Sequence, residues 1–131
     1  VRKDNTGRWA KTPITASNHQ WNSGYIRRDK KGHIHAYVIV GEGYLNLPGV
    51  NNTHGGGRIE QWVSKDKGYT WSKHRDITPD SMKYAGMRYN NVQPVLRPDG
   101  SAVDGMLLFY GWKDKTEPDG VAFLLDESKE S

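Results

Sequence analysis

The chain has 131 residues, a formal net charge of +4 and no cysteine, which excludes disulfides and thiolate metal sites. No apolar run approaches the roughly 18 residues of a membrane span, so no membrane partner is expected. With 15 Gly, 5 Trp and 7 Tyr but only 34% apolar residues, the composition predicts an all-β domain whose short strands are joined by polar turns.

Four strands are predicted in the first half of the chain. Residue patterns indicate an outer strand at 8–14, an innermost strand near 22–28, a second at 33–40 and a third at 58–63. Gly32, at the end of Lys30-Lys31-Gly32, predicts a tight turn between the innermost and second strands.

An eight-residue pattern follows the third strand. Its fixed places are Ser64, Asp66, Gly68, Thr70 and Trp71, in the order Ser-x-Asp-x-Gly-x-Thr-Trp, which is an Asp-box. The aspartate can accept hydrogen bonds from backbone N–H groups of its own turn, and the glycine can supply a positive φ. The pattern therefore predicts a β-hairpin turn, with a structural role for Asp66.

The second half of the chain repeats this organisation. The hairpin leads into an outer strand at 70–77, and further strands are predicted near 91–97, 106–112 and 120–125. Pro98-Asp99-Gly100 is a strong turn signal between two of them.

An internal repeat divides the chain into two units. Arg8–Thr15 resembles Thr70–Thr78 with one residue inserted, so that Trp9 recurs as Trp71. Multi-stranded repeats of this kind are typical of propeller blades. The predicted units are about 8–69, which contains the Asp-box at 64–71, and about 70–131.

Blade geometry predicts which loops meet a ligand. Loops that join second to third strands, or an outer strand to the next blade, share one face, and the Asp-box turn lies on the other. The candidate residues on these loops are His19, Trp21, Tyr44, Asn51, Asn52, His54, Tyr84, Arg88, Tyr89 and Asn90. The alternative is that these loops are polar simply because they face solvent. Aromatic rings that stack on sugars and forked donors that hold a carboxylate suit carbohydrate recognition.

A His-x-His pattern lies on the second strand. Period-two alternation places His33, His35 and Tyr37 on one face, where a further ligand such as His54 or Glu42 would be needed for a metal. Core histidines with satisfied hydrogen bonds are the favoured interpretation, so neither a metal nor another cofactor is expected.

The Asp-box resembles the BNR repeats of sialidase-like β-propellers. Further short motifs, in 9–24, 55–62 and 77–98, are similar to the C-terminal blades of the BNR-4 group, seven-bladed propellers that include ulvan-lyase-like polysaccharide lyases. The resemblance implies two blades of such a propeller, either as a fragment or as part of a multi-chain ring that other blades complete.

The resemblance also implies an activity, the cleavage of a uronate-containing polysaccharide by β-elimination. It assigns proton transfer to Tyr89 or His19 and places Arg88 and Asn90 near the substrate carboxylate. Of the other loop residues, Tyr44 and His54 are predicted to bind substrate. One departure is Asn91, since the family pattern offers a histidine after Tyr-Asn.

Two alternatives remain open at the level of sequence. A sialidase-like hydrolase would need three arginines around a carboxylate, and only Arg88 and Arg97 are candidates. A non-catalytic carbohydrate-binding propeller needs no such set. Nucleic acid is not expected as a partner, because the basic residues do not cluster with the loop aromatics. A polysaccharide substrate implies a secreted or periplasmic protein.

Overall fold

The computed structural model describes residues 2–16, 24–40, 58–78, 88–112 and 120–127. These residues form nine β-strands and contain no α-helix, which confirms the all-β prediction. The strands are β1 (Arg2–Lys3), β2 (Trp9–Ala10), β3 (Tyr25–Arg28), β4 (Ile34–Val40), β5 (Arg58–Ser64), β6 (Ser72–Asp76), β7 (Arg88–Leu96), β8 (Ala102–Trp112) and β9 (Gly120–Asp126).

Two antiparallel sheets make up most of the described structure. The first sheet contains β3, β4, β5 and β6 in that spatial order, and the second sheet contains β7, β8 and β9. The order in space follows the order in the chain, so each sheet is a simple meander. A separate pair, β1 with β2, joins Arg2 to Ala10 and Lys3 to Trp9.

The predicted strands at 22–28, 33–40, 58–63, 70–77, 91–97, 106–112 and 120–125 correspond to observed strands of the two sheets. The predicted outer strand at 8–14 is wrong beyond β2, because 11–16 has no strand pairing. Pro13 lacks a backbone N–H for such a ladder. Instead, Thr12 and Ile14 line a small cavity of about 130 Å³ together with Ile26 and Trp71.

Three hairpin turns share one hydrogen-bond pattern, over Asp4–Arg8, Asp29–His33 and Arg97–Ser101. In each, the first N–H donates to the fifth carbonyl, and the fourth N–H donates to the first carbonyl. The fourth residue is a glycine with φ of 84°, 84° and 86° respectively, a region that other residues rarely adopt. The turns predicted at 30–32 and 98–100 are confirmed.

The Asp-box forms the predicted turn between β5 and β6. Asp66 Oδ1 accepts hydrogen bonds from Thr70 N at 2.8 Å and from Ser64 Oγ at 2.8 Å, and the Thr70 hydroxyl donates to Oδ2. Ser64 Oγ in turn accepts from Gly68 N at 2.8 Å, and Gly68 has a φ of 91°. The turn is therefore closed by side chains at both of its ends.

The core lies between the two sheets, which pack face to face. Cross-strand pairing places alternate residues of each strand on this inner face. The first sheet and its following residues contribute Tyr37, Ile39, Ile59 and Ile77, and the second sheet contributes Val92, Leu107, Phe109 and Leu125. Full burial of such side chains stabilises the fold by roughly 1.5–3 kcal/mol each.

Candidate functional site

The residues predicted to bind or cleave a substrate fall into two groups. Arg88, Tyr89 and Asn90 begin β7, where Arg88 pairs with Trp112 and Tyr89 with Gly111. The sequence prediction put them in a loop at 79–90, but strand pairing starts at Arg88 because β8 is long enough to supply partners. The other candidate residues all lie outside the described residues: His19, Trp21, Tyr44, Asn51, Asn52, His54 and Tyr84.

A β-bulge interrupts the ladder within this run. Tyr89 pairs with Gly111 and Asn91 with Tyr110, so β7 advances two residues while β8 advances one. Asn90 is the extra residue. Bulges of this kind are over-represented next to active sites because they change the direction in which side chains leave the strand.

The two sheets have a common end, called here the turn end, which carries the turns Asp29–His33 and Arg97–Ser101. Residues 27–31 and His33 line one groove together with Asp104 and Gly105, which places the first turn beside the beginning of β8. Arg88 is at the opposite end of β7 from Arg97. The predicted catalytic run and the turn end are therefore at opposite ends of the second sheet.

A polar cluster lies between the sheets, centred on the Tyr37 hydroxyl. This hydroxyl donates to Glu127 Oε1 at 2.7 Å and accepts from Arg27 Nε at 3.0 Å. Two ion pairs also reach Glu127, from Arg27 Nη2 at 3.4 Å and from Arg75 Nη2 at 3.6 Å. Glu127 follows β9, so it links the second sheet to a tyrosine and two arginines of the first.

The cluster continues along the first sheet through Gln61 and His35. Arg75 Nε donates to Gln61 Oε1 at 3.0 Å, which fixes the orientation of the amide. Gln61 Nε2 then donates to His35 Nδ1 at 3.0 Å, and His35 Nε2 lies 2.8 Å from Asp29 Oδ2. Both ring nitrogens of His35 are thus occupied, as expected of a core histidine with satisfied hydrogen bonds.

Two protonation states follow from these contacts. Burial raises the pKa of Tyr37, and its hydrogen bond to Glu127 raises that pKa further, so the phenol stays protonated. Hydrogen bonds from His35 and from the backbone N–H groups of His33 and Lys31 lower the pKa of Asp29 to about 2. Asp29 is therefore a carboxylate over the physiological range.

The Tyr37–Glu127 pair has the residue types of a tyrosine nucleophile and its base, but its geometry does not fit that role. Tyr37 is fully buried at 0% exposure, so no substrate reaches its hydroxyl. Arg27 also lies over its ring, 5.9 Å from the centroid. The cluster instead joins the sheets by satisfying the polar groups buried between them.

Within the described residues there is no group of three or more His, Asp or Glu side chains arranged to hold a metal ion. Asp29 does lie near both His33 and His35, at 3.7 Å and 2.8 Å. Yet the second nitrogen of His35 is taken by Gln61. The further metal ligands considered from sequence, Glu42 and His54, are outside the described residues.

Sequence reasoning did not find the polar cluster. The alternation of Arg27, His35, Tyr37 and Gln61 along neighbouring strands is a signal for a shared polar face. Nothing local marks Glu127 as their partner, because it is 90 residues from Tyr37 in the chain.

Comparisons with protein-family models, with curated proteins and with solved structures found no match. In the described parts of the chain, no helix has the length and apolar character required to cross a membrane.

Proposed function

We propose that the protein is part of a carbohydrate-active β-propeller that binds a uronate-containing polysaccharide and cleaves it by β-elimination. One observation carries the propeller assignment. The first sheet is a four-stranded antiparallel meander whose third and fourth strands are joined by an Asp-box turn. A blade of an Asp-box propeller has this organisation, and the division into units at 8–69 and 70–131 assigns two blades to the chain.

Exposed apolar residues on the outer faces of the two sheets favour the presence of further blades that would cover them. Ile26 on the first sheet is 59% exposed, and Leu124 and Leu96 on the second are 57% and 58% exposed. Propellers cover such faces with neighbouring blades. We assign the neighbours to a further segment or to another chain, with seven blades in the complete ring.

This assignment predicts the behaviour of the 131-residue chain in solution. It should self-associate when no further blades are present, because the exposed apolar residues of the outer faces are then uncovered. Size-exclusion chromatography and calorimetry test this directly. A monodisperse monomer with one sharp melting transition would contradict the incomplete ring.

The catalytic assignment places proton transfer on Tyr89 or His19 and the substrate carboxylate near Arg88 and Asn90. The bulge at Asn90 supports a site there, because it breaks the regular alternation of the strand. Elimination requires a base at the C5 proton and cations or amides that stabilise the enediolate. Tyr44 and His54 are assigned to sugar binding, and no cofactor is invoked.

The net charge of the chain is consistent with an acidic polysaccharide as its partner. A net charge of +4 favours an anionic substrate through electrostatic attraction. A polysaccharide substrate places the protein outside the cytoplasm, secreted or periplasmic.

The decisive experiment compares two products of cleavage. Elimination creates a conjugated double bond, so ultraviolet absorbance should rise as an acidic polysaccharide is cut. Tyr89→Phe should lower kcat by roughly 10²–10⁴-fold if Tyr89 is the acid or base. Tyr69→Phe, on the exposed Asp-box turn, is the matched control and should leave kcat unchanged.

The other outcomes separate the alternatives. New reducing ends without absorbance would indicate a sialidase-like hydrolase instead. Retained binding of acidic polysaccharides without cleavage would indicate a carbohydrate-binding propeller. A loss of about tenfold or less in Tyr89→Phe would remove Tyr89 from proton transfer and leave His19 as the candidate.

A further inference from the structure

An open groove of about 380 Å³ lies at the turn end, across both sheets. The hairpin Asp29–His33 and the end of β3 form one wall, and β8 forms the other. Its lining residues are Arg27, Arg28, Asp29, Lys30, Lys31, His33, Asp104 and Gly105. The volume is within the roughly 300–1,000 Å³ typical of small-ligand sites.

The groove carries an excess of uncompensated positive charge. Four of its lining residues are always cationic, whereas two are aspartates. Arg28, Lys30 and Lys31 are exposed and make no ion pair with another described residue. Cations of this kind remain available to an external anion.

The aspartate nearest these cations is already engaged. Asp29 Oδ1 accepts from Lys31 N and His33 N, both at 2.9 Å, and its Oδ2 contacts His35. Its charge is therefore offset by groups of the turn itself, and its hydrogen bonds hold the backbone on which both lysines stand. Arg27 is engaged with Glu127, so the free positive charge is on the other three cations, which outnumber Asp104, the second aspartate of the lining.

The shape of the groove depends on two glycines. A Cβ at Gly32 would lie 3.3 Å from Arg28 Nη2, so the guanidinium rests directly over the turn. On the opposite wall, Gly105 has a φ of 75°. There β8 bulges: Leu96 pairs with Ala102 and Pro94 with Leu107, so β8 advances five residues while β7 advances two. The bulge brings Asp104 and Gly105 to the groove.

We propose that this groove is a second binding site for an acidic polysaccharide, which takes a carboxylate or sulfate group of the chain between Arg28, Lys30 and Lys31. The class of ligand rests on the proposed function, whereas the anion site rests on the groove itself. Polysaccharide is favoured over nucleic acid because the groove lining contains no Phe, Tyr or Trp side chain on which a base could stack. The site lies at the end opposite the Arg88–Asn90 run, so it would hold the substrate without taking part in its cleavage.

The test measures affinity and location in the 131-residue chain. Binding of an alginate oligosaccharide is followed by calorimetry, and the affected amides are mapped by NMR with the same oligosaccharide and with inorganic sulfate. Both probes should shift the amides of 28–33 and 104–105. Lys30→Glu with Lys31→Glu should weaken alginate binding by roughly tenfold or more, as expected for the loss of two exposed charge contacts.

The matched control is Lys11→Glu with Lys65→Glu, two exposed lysines outside the groove that give the same change in net charge. It should leave the affinity within about twofold, since distant exposed charges are screened. Equal losses in both double variants, or amide shifts confined to other regions, would overturn the groove as a site. Tighter binding of a single-stranded oligonucleotide of equal charge would overturn the choice of polysaccharide.

The two proposals can fail separately. If absorbance shows cleavage while the groove amides do not shift, the second site is wrong and the lyase stands. If sulfate and alginate shift the groove amides but no acidic polysaccharide is cleaved, the lyase is wrong and the groove stands.

Discussion

The two sheets contribute to one core by different means. The inner face of the second sheet is apolar, with Val92, Leu107, Phe109 and Leu125 at its centre. The inner face of the first sheet combines isoleucines with a hydrogen-bonded cluster around Tyr37. Apolar packing tolerates small slips between two surfaces, whereas hydrogen bonds have a strict geometry. We infer that packing holds the sheets together and that the polar cluster fixes how they are aligned.

The largest effect is expected where packing alone acts. Phe109→Ala should lower the free energy of unfolding by about 3–5 kcal/mol, because it leaves a cavity between the sheets. Leu124→Ala, in the same sheet but 57% exposed, should change it by about 0.5 kcal/mol or less. Urea denaturation of both variants measures the difference. Similar losses would show that the inner face of the second sheet is not the stabilising one.

A smaller effect is expected at the joint between the sheets. Glu127→Gln should cost about 3 kcal/mol, since it leaves Arg27 and Arg75 without their shared carboxylate. The figure is at the low end for buried pairs because both arginines are partly exposed. A double-mutant cycle with Tyr37→Phe should show a coupling energy of about 0.5–3 kcal/mol. Additive losses would mean that the cluster does not act as a unit.

A further loss of stability is expected at the Asp-box turn, which connects two strands of the first sheet and forms no part of the joint between the sheets. Ser64→Ala should cost about 1–3 kcal/mol, because the buried Gly68 N–H loses its acceptor. Ser72→Ala, at an exposed position of β6, is the control and should be close to neutral. Ligand affinity should be unchanged in both. A loss of polysaccharide binding in Ser64→Ala at unchanged stability would place this turn near the ligand.

The smallest expected effect is a pH dependence of the stability that Asp66 contributes. Hydrogen bonds from the Thr70 hydroxyl and N–H lower the pKa of Asp66 from 3.8 to about 2. A carboxyl whose folded pKa is lowered stabilises the fold above its unfolded pKa, and that contribution disappears as the pH falls from about 4 to 2. Asp66→Asn should therefore melt at a lower temperature than the wild type near pH 6, and the gap should narrow toward pH 2. Thr70→Val should show a weaker form of the same trend, and a gap that stays constant with pH would refute this account of the turn.

Local chemistry explains what could be predicted from sequence. The Asp-box turn and the glycine turns at 30–32 and 98–100 are specified within a few residues, and strands on either side of them follow from alternation. The prediction of a strand at 8–14 was wrong because it depended on a repeat between distant parts of the chain and not on a local signal. Its repeat with 70–78 is real as a pattern, but Trp9 is 71% exposed whereas Trp71 lines a cavity, so similar residues have different surroundings.

The candidate sites show the limit of such reasoning. The groove at 27–31 has no local signal in the sequence, because only the second sheet supplies its other wall. The polar cluster was missed, since Glu127 reaches it from a strand distant in the chain. Long-range pairing of this kind leaves no mark in a single sequence. The assignment of Arg88, Tyr89 and Asn90 to a site remains a prediction from resemblance.

The shared geometry of three hairpins has a consequence for engineering. Asp4–Arg8, Asp29–His33 and Arg97–Ser101 bring their flanking strands together with the same two backbone hydrogen bonds and a glycine in the same conformation. The side-chain caps differ: in the first two turns the first residue is an aspartate that accepts from the third and fifth N–H groups, whereas in the last turn Asp99, the third residue, accepts from Ser101 N. Lysines placed at 98 and 99 would carry the charge of the 29–33 turn to this hairpin once Arg97 is also replaced by the capping aspartate, so the chemistry of the surface can be redesigned without redesigning its fold.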